Sequence, residues 1–165
     1  MTAANQLPMS SVLSFAYKLK KFGQLSSYEQ LVVVQSFALL LLLAGCLKVF
    51  GLQKTQDYLV KVSPTVSSIE PSNERLKKAQ IIARLVDRVA ARLFPVGNCL
   101  KKSLTLWFML RKQGIESQLR IGVRRDNDDQ IQAHAWVECG EIILNDIKTV
   151  HSHYAVFEEC FEGSI

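Results

Sequence analysis

The chain has 165 residues, 48% of them hydrophobic, with a formal net charge of +5 and four cysteines. That length holds one compact domain plus an appendage and excludes two large domains. Cys46, Cys99, Cys139 and Cys160 form no CxxC pair, which argues against a zinc site or a disulfide framework, and the basic residues are scattered along helical stretches with no nucleic-acid motif, so neither a metal nor nucleic acid is expected.

Residues 1–9 read as a loose end, and 10–22 carry Leu13, Phe15, Ala16, Leu19 and Phe22 at amphipathic spacing with lysines between. Gly23 and Ser26-Ser27 break that run and cap the next, with Glu29 or Gln30 placed for a capping box. Residues 31–47, LVVVQSFALLLLLAGCL, are almost wholly apolar and sit at the lower length limit for a bilayer span. They read either as a helix buried in a bundle or as a membrane contact. Gly51 ends the segment, and a short helix over 55–62 follows. Residues 63–73, with two prolines and four serines, read as a linker between an N-terminal helical part, 1–62, and a catalytic part, 74–165.

Ser72 or Asn73 caps a helix running from Glu74 to about Phe94, with Leu76, Ala79, Ile82, Ala83, Val86, Val89, Ala90 and Leu93 on one stripe. Pro95 and Gly97 stop it, and a second helix runs from Cys99 to Gln113 before Gly114. The period then changes to alternation. Leu119, Ile121 and Val123 mark one strand, Ile131, Ala133, Ala135 and Val137 a second, with a turn at 126–129, and 142–145 give a third that ends at Asp146. The remainder, with Tyr154, Phe157 and Phe161, reads as a terminal helix or irregular cover. The fold class expected is α+β, a papain- or transglutaminase-like core preceded by helices.

Three residues stand out in this layout. Cys99 opens a helix, where backbone N–H groups stabilise an anion, and only the thiolate form of cysteine attacks well. His134 lies mid-strand on the face opposite Ala133 and Ala135, and Asp146 ends the neighbouring strand. Taken singly they read as a buried thiol, a strand histidine and a turn-capping aspartate. Together, a helix-start Cys, a strand His and a next-strand Asp match a nucleophile, its base and an orienting carboxylate. The Cys99 backbone N–H is placed as an oxyanion donor, with Asn98 a candidate second donor and Trp136, beside His134, a candidate substrate contact.

The segment CLKKSLTLWFMLRKQGIESQLRIGVRR (99–125) followed by AHAWVECGEIILND (133–146) resembles the transglutaminase-like cysteine peptidases of lasso-peptide biosynthesis, the B proteins that remove the leader from a precursor. The resemblance is dense over 91–146 and rests on the Cys-Leu-x-x-Ser-Leu, Ile-Gly-Val-Arg and Ala-His-Ala-Trp-Val-Glu elements in combination. It implies Cys99 as nucleophile, His134 as base and later acid, and Asp146 as the orienting residue. It also shifts 31–47 toward a packed helix. Some members carry a fused leader-binding module with its own strands; residues 1–62 read as helices only, so the expected partners are the precursor leader, a separate small leader-recognition protein and an ATP-dependent macrolactam synthetase. Members can depend on ATP for cleavage, yet no phosphate-cradling Gly-rich loop is legible, and no cofactor is expected in the chain itself.

A cytoplasmic location is expected, with peripheral membrane contact through 31–47 as the alternative. Two other functions fit the same residues. A transglutaminase or acyltransferase would use the same triad and pass the acyl group to an amine, and a membrane-associated interaction subunit would leave the triad idle.

Overall fold

The computed structural model describes residues 22–64, 72–125 and 129–157. The expected amphipathic helix over 10–22, all but its last residue, most of the 63–73 linker, the first three turn residues at 126–128, Cys160 and Phe161 lie outside those residues.

Helix α1, Ser27–Val62, starts at a capping box: Ser26 Oγ accepts the Glu29 N–H at 3.3 Å, and Glu29 accepts the Ser26 N–H at 3.0 Å. The helix expected over 31–47 and the short one over 55–62 are joined in one element, bent where Gly51 adopts φ 76° and ψ 179°. A side chain at that φ would be strained, and Thr55 supports the bend by donating its hydroxyl to the Gly51 carbonyl at 2.6 Å. Helix α2, Asn73–Leu93, is capped by Ser72 and buries Ala79, Ile82, Ala83, Val86 and Ala90 along its expected stripe. Helix α3, Cys99–Lys112, is buried at every position from Ser103 to Leu110.

That burial follows from the position of α3 between the other helices and the sheet. Its residues share one apolar cluster with Val32, Leu43 and Leu59 of α1, with Ile82 and Val86 of α2, and with Leu119, Val137 and Cys139 of the strands. Val32, Leu43 and Leu59 of α1 thus lie in the same apolar core as α2 and α3.

The sheet is antiparallel with order β3-β2-β1-β4, formed by β1 Gln118–Arg125, β2 Ile131–Cys139, β3 Ile142–Ile143 and β4 Ala155–Val156. β1 and β2 pair along their lengths, with Gly122 opposite His134 and Arg120 opposite Trp136. The third strand is shorter than the expected 142–145 and leaves the sheet after Ile143. A four-residue helix α4, Val150–His153, and the edge strand β4 return the chain over the sheet, and neither has a periodicity that marks it in the sequence.

The 31–47 stretch is packed on one side only. Val32, Ser36, Leu40 and Leu43 are buried, whereas Leu31, Val34, Phe37, Leu41 and Leu42 are exposed. By length and composition α1 is apolar enough to cross a membrane, but its inner side is committed to α2 and α3. This division predicts unequal costs of truncation. Leu104→Ala, in the fully buried layer, should lower unfolding free energy by about 2–5 kcal/mol, whereas Leu41→Ala on the open side should change it by less than about 0.5 kcal/mol, as read from urea melts.

Candidate active site

Cys99 is the first residue of α3 and is partly exposed. The turn before it is closed by Asn98, whose amide nitrogen donates to the Phe94 carbonyl at 2.8 Å, so the last turn of α2 and the first turn of α3 are tied directly. Asn98 makes no side-chain cap to α3. The first N–H groups of that helix are left without a capping side chain, which suits them to an incoming anion. One Asn98 amide N–H thus serves the joint between the helices.

The side chains of His134, Trp136 and Glu138 follow one another along one face of β2. His134 Nε2 is hydrogen-bonded to Asp146 Oδ2, and the other carboxylate oxygen, Oδ1, accepts the Ile147 N–H at 2.8 Å. With Nε2 engaged by an acceptor, the ring proton is held there and Nδ1 is the nitrogen left to take a proton. The ring stacks on Tyr154 at 5.0 Å between centroids and lies 6.2 Å from Trp136, while the Arg124 guanidinium sits 5.0 Å from the Tyr154 ring.

Trp136 was expected to touch substrate. It is wholly buried instead, and its indole N–H donates to Glu138 Oε1 at 2.5 Å. Glu138 also accepts from Arg120 Nε at 3.2 Å and lies 2.9 Å from His151 Nε2, so this carboxylate anchors the indole from below and ties in α4 from the side. Trp136 is thus part of the support for His134 and offers no surface to a peptide.

The separation of the sheet from α3 is set by two residues whose roles the sequence reading missed. Beyond the point where β3 ends, Val137 donates its N–H to Asn145 Oδ1 at 2.8 Å, and the Ala135 carbonyl accepts the Ser103 hydroxyl at 2.8 Å. Asn145 Nδ2 in turn donates to Ser103 Oγ at 2.9 Å. Lys102 adds a third tie, donating to the Asn145 carbonyl at 3.3 Å and pairing with Asp87 of α2 at 2.9 Å. Ser103 lies four residues after Cys99, one helical turn on and on the same side of α3. Among the described residues a direct hydrogen bond joins His134 to Asp146, and none joins either to the Cys99 thiol, whose link to them runs through Ser103.

Burial and the nearby Glu116 carboxylate push the Cys139 thiol up from its ordinary value, so it is held in the unreactive protonated form. Among the described residues, no cluster of three or more His, Cys, Asp or Glu could hold a metal ion.

A helix that begins with cysteine, packed on a small antiparallel sheet whose His134 is bonded to Asp146, agrees with what comparison of the sequence with known families finds: a model described as transglutaminase-like superfamily matches residues 34–159. The chain belongs to the transglutaminase-like superfamily. Its members are in general Cys-His-Asp enzymes, which supports a cysteine peptidase or acyltransferase in this chain. No curated protein and no solved structure matched the chain. Within this transglutaminase-like frame Gly122 is the position that lets the return segment close over the site. A Cβ there would lie 2.9 Å from Tyr154 Cβ, 3.0 Å from a Trp136 ring carbon and 3.1 Å from the Ala155 carbonyl. Gly122→Ala must therefore displace Tyr154 or β4, and it should cost about 1–3 kcal/mol in a urea melt.

Proposed function

We propose that the chain is a cysteine peptidase that cuts the leader from a lasso-peptide precursor through a thioester acyl-enzyme. The observation that carries the thiol chemistry is the bond from Asp146 to His134, whose strand is pinned to the helix that Cys99 opens. The choice of substrate is supported by the combined 99–125 and 133–146 sequence elements.

In this reading His134 Nδ1 takes the thiol proton as Cys99 Sγ attacks the carbonyl of the last leader residue, and Asp146 holds the ring through Nε2. The carbonyl oxygen becomes an oxyanion facing the Cys99 N–H at the uncapped start of α3. Collapse breaks the C–N bond, with His134 delivering its proton to the departing amine, and leaves leader acyl on sulfur. Water, losing a proton to Nδ1, then attacks the thioester. The leader leaves as a carboxylic acid and the thiol is restored. Passing the acyl group to an amine would use the same residues, and the sequence resemblance is what favours water.

The reading includes three partners: the precursor leader, a separate leader-recognition protein and an ATP-dependent macrolactam synthetase. Incubating the purified chain with precursor and recognition protein, and weighing the products, tests it. Wild type should release leader and core, Cys99→Ala should release neither, and His134→Ala should be slower by about 10²–10⁴-fold. Cleavage by Cys99→Ala at the wild-type rate would refute the proposal.

A further inference from the structure

We propose that Ser103 and Asn145 are positioning residues that set the distance between the Cys99 thiol and the His134 ring, an inference that rests on the thiol chemistry proposed above. Odd-numbered residues of β2 from Ala135 to Cys139 direct their backbone N–H and C=O groups toward the β3 edge, because Cys139 pairs with Ile142 and the Val137 carbonyl accepts the Leu144 N–H at 2.9 Å. A longer β3 would continue this ladder past Val137 and Ala135. It would also keep Asp146 in the strand, unable to turn toward His134.

The chain resolves this conflict by leaving the sheet and supplying side-chain substitutes for the missing strand. Asn145 Oδ1 takes the place of a backbone carbonyl for the Val137 N–H, and the Ser103 hydroxyl takes the place of a backbone N–H for the Ala135 carbonyl. The bond from Asn145 Nδ2 to Ser103 Oγ joins the two substitutes to each other. Each atom in the set has a direction that only these residue types satisfy. Ser103 Oγ must accept from Asn145 while donating to Ala135, and the Asn145 amide must accept at one end and donate at the other.

Ser103 is fully buried and sits between the nucleophile's helix and the residue that follows His134 in β2. Asn145 precedes Asp146 directly. One cluster therefore fixes three positions at once: the first turns of α3, the strand beside the imidazole, and the carboxylate that orients it. Loss of the cluster should leave the fold standing, since Leu104, Leu106 and Val137 keep their places in the apolar core, and should let Cys99 drift from Nδ1.

The rate at which iodoacetamide alkylates each cysteine, resolved by peptide mass spectrometry, tests this without any knowledge of the substrate. Cys46, partly exposed on α1 and remote in sequence from the cluster, is the internal reference, and buried Cys139 reports loosening of the core. In wild type Cys99 should react faster than Cys46, and His134→Ala should remove that advantage. Ser103→Ala and Asn145→Ala should each slow Cys99 by about tenfold, as loss of a buried hydrogen bond warrants, with Cys46 unchanged and Cys139 still protected. Ser103→Thr, which keeps the hydroxyl, should restore the rate.

A merely structural role would speed Cys139 and leave the Cys99 advantage in the folded molecules. If an alanine variant does expose Cys139, the decision passes to Asn145→Asp, which keeps the acceptor for Val137 and loses the donor to Ser103. It must slow Cys99 for the proposal to stand. A fast wild-type Cys99 whose advantage survives all these substitutions overturns the positioning role and leaves the proposed chemistry intact. A wild-type Cys99 no faster than Cys46, and indifferent to His134→Ala, overturns both.

Discussion

The arrangement of the site depends on how the outer edge of β2 is satisfied. Backbone N–H and C=O groups in a buried strand must find partners, and the simplest partner is another strand. Here a full third strand would hold Asp146 away from His134. Ending β3 at Ile143 and completing the edge with Asn145 and Ser103 meets the hydrogen-bonding demand and frees the chain to turn its next residue onto the imidazole. The same exchange binds α3 to the sheet, because one of the substitutes is a helix residue.

The opposite side of the His134 ring is controlled by packing. Tyr154 stacks on it, Arg124 stacks on Tyr154, and the absence of a side chain at Gly122 makes room for the stack. Beneath lies Trp136, fixed by Glu138, which also holds Arg120 and meets His151. A buried carboxylate with three polar partners is far less costly than an isolated one, and it locks the indole into one orientation. The imidazole is thus held in plane by aromatic contacts and in rotation by Asp146.

The helices and the two long strands were legible because their apolar residues recur at helical and alternating periods with clear stops. The stripe from Leu76 to Leu93, Cys99 at a helix start and the alternation across 119–124 and 131–138 are local properties. The length of β3 was not legible, because an apolar run ending in Asn and Asp is also what a longer strand looks like, and only the demand of His134 for a carboxylate cuts it short. Ser103 was visible within the Cys-Leu-x-x-Ser-Leu element, but its bond is to a carbonyl far along the chain, which no local pattern reports. The burial of Trp136 was not legible for a similar reason: the α4 and β4 return that covers it carries no periodic signal. The 31–47 run was ambiguous by composition, and it remains two-sided in the fold, with one face in the core and the other open.

In the proposed chemistry Asp146 holds the His134 proton on Nε2 and leaves Nδ1 for the thiol. Ring-selective nitrogen NMR of the Cys99→Ala protein with the His134 ring neutral is the sharpest check. His134 should show a slowly exchanging Nε2–H signal that disappears in the Cys99→Ala, Asp146→Ala double variant. A ring protonated on Nδ1, or an Nε2–H signal indifferent to the loss of Asp146, would contradict it.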